Sequence, residues 1–146
     1  MYVGQILKLD NVTTEVLGIK NEDITVNFGN NQSVVYKLYI GNSSLLFLGD
    51  TGLESEKKLI ETVKDKLKSD YVQMAHHGQQ GVSEEMYNLI SPKYCFWPCT
   101  SCLYNNDFGH GYNSGNLKTI ETRSWIEKIG AVNYVAKDGD ITVKIY

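Results

Sequence analysis

The sequence predicts a layered α/β fold, in which helices pack on a mixed β-sheet. Two observations lead to this prediction. Short β-rich runs occupy the first fifty residues, and helical and strand patterns then alternate along the rest of the chain. That order is typical of a sheet that begins as an antiparallel meander and continues through crossover helices. No repeat or linker composition interrupts the 146 residues, so we expect one domain over 1–146.

The N-terminal third contains the strands of the predicted meander. Short runs rich in β-branched residues come first, and each is bounded by Asn, Asp, Glu or Gly. The run SVVYKLYI alternates, and Gly41-Asn42 then predicts a hairpin into SLLFLG. Because SLLFLG is apolar almost throughout, we expect it in the sheet centre, covered on both faces. The predicted strands cover 5–9, 14–19, 23–28, 33–40 and 44–49.

Helices and strands alternate in the rest of the chain. Leu59 and Val63 recur at helical spacing in a charged segment, which predicts an amphipathic surface helix over 54–68. Ser83 is a suitable N-cap for a second helix, and Gly130 ends a third. These two helices are predicted at 83–90 and 116–130, and the remaining strands at 70–75, 93–98, 133–137 and 140–145, with a turn at 137–139 before the last.

Composition and charge narrow the range of functions. The formal charge is −3 and Lys and Arg form no cluster, which argues against nucleic-acid binding. No apolar run approaches the roughly 20 residues that cross a bilayer. Since the N-terminus also lacks the order of a secretory signal, a cytoplasmic location is expected. The three cysteines, Cys95, Cys99 and Cys102, are crowded and odd in number, unlike a disulfide framework.

Metal-binding side chains follow two of the predicted strands. Asp50 ends SLLFLGD, and His76 and His77 end the next strand just before Gly78. In layered α/β folds, ligand sites lie beyond the ends of central strands, so we expect Asp50 close to one of these histidines. Carboxylate and imidazole groups suit Zn²⁺, Mn²⁺ or Fe. The alternative interpretation is that Asp50 caps a helix and the histidines are exposed loop residues.

Four segments, in this order, resemble the C-terminal half of a metallo-β-lactamase-fold hydrolase. They are NNQSVVYKLYIGNSSLLFLGDTG at 30–52, LKSDYVQMAHHGQQG at 67–81, SPKYCFWP at 91–98 and YVAKDGDITVKI at 134–145. Within that superfamily they are most similar to the metallo-β-lactamase-like domain of DNA-uptake competence proteins. The resemblance implies that this chain forms one αβ half of an αββα sandwich, with a mixed sheet and about three helices.

The resemblance also assigns roles to individual residues. Asp50 would bridge two metal ions, and His76 and His77 would lie at the mouth of the site, as a ligand or as proton donor to the leaving group. His110, in the sequence FGHG, is the nearest match to a final ligand. The implied metal ligands are therefore Asp50, His77 and His110, the implied catalytic residues are His76 and His77, and the implied cofactor is Zn or Mn, as two ions in the complete family site.

The chain lacks HxHxDH, the principal metal-binding motif of the superfamily. The implied function is the C-terminal part of a metal-dependent hydrolase, phosphodiesterase-like, and incomplete or inactive as the isolated chain. The expected partner is the missing N-terminal half or a second copy of the chain, because a lone half would expose an apolar sheet face. The alternative is a non-catalytic interaction module that retains half of the fold.

The segment between the predicted strand at 93–98 and the last helix contains two further features. Cys99 and Cys102 have the C-x-x-C spacing of redox and zinc sites. A redox site would require the motif to begin a helix, whereas Pro98 and the Asn-rich sequence after the motif predict a loop. A zinc knuckle would need a second ligand pair, of which His110 supplies at most one member. The cysteines are therefore expected to be loop or half-buried thiols. The loop 103–116, with aromatic residues and glycines, is a candidate substrate-recognition lid or partner contact.

Overall fold

The computed structural model describes residues 1–145, apart from the side chain of Asp138, and contains one seven-stranded mixed sheet. The strands are β1 (Ile6–Leu9), β2 (Val12–Gly18), β3 (Val35–Ile40), β4 (Ser43–Phe47), β5 (Tyr71–Gln73), β6 (Tyr94–Trp97) and β7 (Val132–Val135). They lie side by side in chain order. The pairs from β1 to β4 are antiparallel and those from β4 to β7 are parallel, so the predicted α/β fold and the β3–β4 hairpin are confirmed.

Three helices form the crossovers between the parallel strands. The helices are α1 (Phe28–Asn31), α2 (Leu53–Val63), α3 (Glu84–Ile90), α4 (Ser101–Asn105) and α5 (Thr119–Ile129). Of these, α2, α3 and α5 are the three predicted from the sequence, with α2 ending earlier than expected in a 3₁₀ turn, Lys64–Lys66. In the described part of the chain, no helix has the length and apolar character that a membrane span requires.

The hydrophobic core lies between one face of the sheet and these three helices. Successive residues of a strand point to opposite faces, and one alternate set of the inner strands faces the helices. This set includes Leu46, Val72 and Cys95, each 0% exposed. Leu59 of α2 and Ile126 of α5 pack in the same cluster. The helices therefore cover a single face of the sheet.

Stacked aromatic side chains occupy the opposite face, here called the open face. This aromatic row consists of Tyr36, Phe47, Tyr71, Tyr94, Phe96 and Tyr134, and its stacked pairs have ring centroids 4.7 to 6.0 Å apart. All six side chains remain partly exposed. The expectation that β4 is covered on both faces is therefore wrong, although β4 does lie inside the sheet, between β3 and β5.

Two predicted strands do not form. Residues 23–28 instead make a turn that leads into α1, with Asn27 in the left-handed conformation (φ 48°). Tertiary contacts override the β propensity there, because the buried Asn31 in the next turn binds Glu54 of α2. Residues 140–145 are also irregular. They lie outside the helix-covered core, with Ile141 43% exposed, so no burial stabilises a strand.

The sequence predicts a loop after Pro98, but Ser101–Asn105 forms the short helix α4, and 106–116 is irregular. Thr100 is the N-cap of α4 in an extended conformation, and its carbonyl accepts a hydrogen bond from the Tyr104 amide at 2.9 Å. The Tyr104 ring packs edge-on against Trp97 and beneath the Arg123 guanidinium, 4.1 Å from ring centroid to Cζ. These contacts with β6 and α5 stabilise a helix too short to form alone.

Candidate functional site

Asp50 lies in the turn between β4 and α2. Gly49 adopts a left-handed conformation (φ +58°) in this turn, and a Cβ there would lie 3.0 Å from Ser33. The Gly49 amide donates to Gln73 Oε1 at 2.8 Å, and the Asp50 amide donates to Ser33 Oγ at 2.9 Å. These bonds fix the backbone, while the Asp50 side chain stays 43% exposed.

The Asp50 carboxylate does not cap α2. The N-cap residue of that helix is Gly52, which has no side chain. In its place, Asn31 Oδ1 accepts hydrogen bonds from the amides of Gly52 and Ser55, each at 3.2 Å. Asn31 is 1% exposed, so this cap is supplied from inside the protein by α1. The interpretation of Asp50 as a helix cap is therefore wrong.

Strand β5 leads into a strained 3₁₀ turn, Ala75–Gly78, that carries the two histidines. His76 (φ 46°) and His77 (φ 58°) both adopt left-handed conformations. Each such residue costs about 1–3 kcal/mol, and strain of this kind clusters at functional sites. The His76 amide donates to the Gly49 carbonyl at 2.9 Å, which joins this turn to the Asp50 turn.

Buried aromatic residues support the histidine turn. A Cβ at Gly78 would overlap the ring of Trp97, so only glycine fits. The Trp97 ring is 1% exposed and donates to Asn133 Oδ1 at 2.6 Å. The Ala75 amide donates to the Tyr87 hydroxyl at 3.2 Å, and burial raises the pKa of Tyr87 well above its usual range. The strained turn is thus held on a rigid part of the core.

The structure brings Asp50 and His77 together at the carboxyl ends of β4 and β5. His77 Nε2 lies 3.7 Å from Asp50 Oδ1. His77 Nδ1 lies 2.7 Å from the carbonyl oxygen of Pro98, a group that can only accept, so Nδ1 carries a proton. In the neutral ring, Nε2 then presents a lone pair on the side of Asp50. The expected proximity of Asp50 to one of the histidines is confirmed.

The types and spacing of these two donors fit one metal ion. Nitrogen and oxygen ligands lie about 2.0–2.2 Å from Zn²⁺, so two of them at a tetrahedral angle are roughly 3.3–3.6 Å apart. The observed 3.7 Å is close to that spacing and longer than a hydrogen bond. A backbone carbonyl on the other ring nitrogen is also the usual way in which a ligating histidine is oriented.

The number of donors falls short of a complete site. Among the described residues, no group of three or more His, Cys, Asp and Glu side chains could hold a metal. A catalytic zinc usually has three protein ligands. Asp50 and His77 therefore fit part of a metal centre, and further ligands would have to come from elsewhere.

His76 lies beside this pair with different partners. Its ring centroid is 6.1 Å from that of His77. His76 Nδ1 lies 3.1 Å from the Gln80 carbonyl oxygen and 3.4 Å from Asn30 Nδ2. The ring thus lies at the same end of the sheet but is held on the α1 side of the Asp50 turn.

His110 lies on the exposed loop that follows α4. That loop is organised by Asp107, whose Oδ1 accepts hydrogen bonds from the amides of Gly109 at 2.9 Å and Gly111 at 3.0 Å. No described cluster of three potential ligands contains His110 together with Asp50 and His77. The role of His110 as a metal ligand stays a prediction.

A cleft of about 480 Å³ lies beside His77. Thr100, Ser101 and Lys137 line it together with Cys99. The Cys99 side chain is almost buried, and burial raises the pKa of its thiol to about 11. Because the thiolate is the reactive form, this cysteine is a poor redox nucleophile near neutral pH.

Sequence reasoning missed the residues that hold the site. Asn31 and Ser33 support the Asp50 turn, Asn30 contacts His76, and Pro98 orients His77. Their roles depend on contacts between residues far apart in the chain. The one local signal was the polar run GNNQS before β3, which is too hydrophilic to continue a buried strand.

Comparison with solved structures identifies the fold. The metallo-β-lactamase fold protein YhfI from Bacillus subtilis matches with a TM-score of 0.53 at 8% identity, over 96% of this chain and 52% of that chain. This chain has a metallo-β-lactamase fold. A mutant of the CmlA beta-hydroxylase also matches, with a TM-score of 0.52 at 11% identity over 91% of this chain.

The chain spans 52% of the YhfI chain and 31% of the CmlA chain. With its sheet covered on one face, it forms one αβ half of the sandwich. No protein-family model and no curated protein matches the sequence.

Proposed function

We propose that this chain is the C-terminal part of a metal-dependent hydrolase of the metallo-β-lactamase superfamily, acting on phosphodiesters. The observation that carries the proposal is the 3.7 Å approach of His77 Nε2 to Asp50 Oδ1, with His77 Nδ1 bound to the Pro98 carbonyl. A carboxylate and an oriented imidazole lone pair thus meet at the ends of two parallel strands. The sequence resemblance to the metallo-β-lactamase-like domain of competence proteins supports the same function.

Asp50 and His77 would hold a zinc or manganese ion. When bound, such an ion supplies activation of water and polarisation of a phosphoryl oxygen. His76 would donate a proton to the leaving group, a contribution typically worth about 10²–10⁴-fold in rate. The rigid turn that holds both histidines keeps this donor at the same end of the sheet as Asp50.

The cleft beside His77 supports an anionic substrate. Thr100, Ser101 and Lys137 are among the residues that line it. Hydroxyl and ammonium groups donate hydrogen bonds to phosphate oxygens, and a charged partner strengthens them. This lining favours a phosphodiester over a neutral ester or lactam.

Metal binding tests the proposed function without requiring turnover. We expect the wild-type chain to bind Zn²⁺ weakly in a calorimetric titration, and we expect Asp50→Asn and His77→Ala to reduce that binding at least about tenfold. Asp65→Asn, which removes an acid from the 3₁₀ turn after α2, is the matched control. Equal zinc affinity in the Asp50→Asn and Asp65→Asn variants would refute the proposed metal ligands.

A non-catalytic interaction module is the second candidate function. The open face favours it, because six partly exposed aromatic rings lie on one side of the sheet. The zinc titration separates the two functions, since an interaction module has no need of the oriented His77 lone pair.

A further inference from the structure

A cavity of about 210 Å³ lies between the end of β2 and helix α2. Its walls come from Val3, from 17–21, from the start of β3 and from one side of α2. Leu17, Val35 and Leu59 in these walls belong to the core between the sheet and the helices. The cavity therefore lies on the helix-covered side of the sheet, and not on the open face that the other half of the sandwich would cover.

Apolar side chains form the inner part of this cavity. An apolar cavity of about 150 Å³ is large enough to hold benzene, so this one can hold a group of roughly six to nine non-hydrogen atoms. Ligand pockets typically combine such an apolar lining with a few polar groups that orient the ligand. The apolar lining residues are Val3, Leu17, Ile19, Val35 and Leu59.

The charged groups in the lining are all positive. Lys20 and Lys58 line the cavity, and none of the described lining residues is acidic. Lys20 is already paired with Glu22 at 2.8 Å. No carboxylate in the described part of the chain forms an ion pair with Lys58. The ammonium group of Lys58 is therefore available to an anionic ligand, and its flexible four-carbon stem lets it reach one.

The hydroxyl groups of the lining indicate where a ligand oxygen would bind. Thr51, Ser55 and Thr62 each donate their hydroxyl proton to a backbone carbonyl oxygen. Ser33 differs, because its Oγ accepts from the Asp50 amide at 2.9 Å and its own proton has no acceptor among the described groups. The Ser33 hydroxyl can therefore donate to a ligand.

We propose that this cavity binds a small monocarboxylic acid with an apolar tail of about five carbons. The carboxylate accepts hydrogen bonds from the Ser33 hydroxyl and the Lys58 ammonium group, and the tail packs on Leu17, Val35 and Leu59. The site goes beyond the proposed hydrolase function, because neither Asp50 nor any histidine lines the cavity.

A nuclear magnetic resonance titration of the isotope-labelled full chain with hexanoate tests the site. We expect a dissociation constant of about 1 mM or lower. Hexan-1-ol and hexylamine, which have a similar tail without the negative charge, should bind at least about tenfold more weakly. The largest amide shifts should fall at 17–21, at Ser33 and at 51–62, and the Asp50 amide should shift because it donates to Ser33.

Two variants on the exposed side of α2 separate a specific contact from a general effect of charge. Lys58→Glu places a negative charge beside the bound carboxylate and should weaken hexanoate binding at least about tenfold. Lys57→Glu makes the same change at the neighbouring exposed residue, which does not line the cavity, and should leave binding unchanged.

Several outcomes would overturn the proposed site. One is the absence of saturable shifts at hexanoate concentrations well above the expected dissociation constant. Another is equal affinity for hexanoate and hexan-1-ol, which would exclude recognition of the carboxylate. Equal losses in the two lysine variants, or shifts centred on Thr100 and Ser101 beside His77, would also exclude it. The zinc titration does not involve this cavity, so its result is independent of these outcomes.

Discussion

At the scale of single residues, the histidine turn depends on the close packing of Gly78 against the Trp97 ring. Gly78 combines a left-handed conformation (φ +81°) with a position directly against the buried Trp97 ring. Gly130 has nearly the same conformation (φ +79°) at the end of α5, but no atom lies within 4 Å of its absent side chain. Substitutions at both glycines would strain the backbone, but only a substitution at Gly78 would also overlap a neighbouring side chain.

Gly78→Ala is therefore expected to destabilise the fold by about 2–5 kcal/mol, from left-handed strain plus overpacking. Gly130→Ala should cost only the strain, about 1–2 kcal/mol. Urea unfolding of both variants measures the difference. Equal losses would mean that the Trp97 ring yields to an added methyl group.

The cysteines differ in reactivity because they differ in burial. Burial raises the pKa of Cys95 to about 12 and that of Cys99 to about 11, whereas the Cys102 side chain is exposed. Native protein near neutral pH should therefore react with iodoacetamide first at Cys102, and at all three thiols only after unfolding. Peptide mass spectrometry gives the order, and rapid native labelling of Cys99 would contradict its burial.

The raised pKa values of Cys95 and Cys99 predict how the stability of the fold changes with pH. Thiols of the unfolded chain ionise near 9.0, below the raised values of Cys95 and Cys99 in the folded chain. Their contribution to the free energy of unfolding is fully present below pH 9 and is lost as pH rises towards about 11 and 12. Cys95→Ala should flatten this alkaline decline in chemical denaturation, and an unchanged slope would contradict it.

At the scale of secondary structure, α1 stabilises α2 across the Asp50 turn. Asn31 Oδ1 caps two amides of α2, and its Nδ2 donates to Glu54 Oε2 at 2.8 Å. Asn31→Ala removes the cap and leaves buried amides unpaired, which should cost about 1–3 kcal/mol. Asn88→Ala, at an exposed position of α3, should be nearly neutral. Thermal unfolding of the Asn31→Ala and Asn88→Ala variants measures how much stability each loses. Similar losses in the two variants would show that the Asn31 cap contributes little.

At the scale of the whole molecule, the ligand count limits activity. Asp50 and His77 provide two donors, whereas a two-metal site must hold its ions about 3.5–4 Å apart with several ligands each. The isolated chain is therefore expected to hydrolyse bis-p-nitrophenyl phosphate no faster than background, with or without Mn²⁺ or Zn²⁺. Turnover that is abolished in Asp50→Ala would mean either that a site is completed between chains or that the assigned ligand set is wrong.

Mixing two inactive variants would then locate such a site. Asp50→Ala and His77→Ala chains can restore activity in a mixture only if one site takes residues from two copies. Without recovery, each copy would have to carry its own complete site.

Local sequence patterns determined much of this protein. The helical spacing of Leu59 and Val63 was sufficient to predict α2, and Gly41 at the turn was sufficient to predict the β3–β4 hairpin. The order of strands and helices then fixed the mixed sheet. Asp50 and His77 could also be placed near each other, because the ends of neighbouring parallel strands meet at one edge.

Only the tertiary structure decided which residues complete the site and which face of the sheet stays open. The turn at 23–28, the cap from Asn31 and the carbonyl of Pro98 all depend on contacts across roughly 20 residues or more. The continuous apolar run of β4 could not reveal its open face, since an aromatic ring such as Phe47 fits an apolar pattern whether or not a helix covers it. Local periodicity records that a residue is apolar, and only the folded chain determines what it packs against.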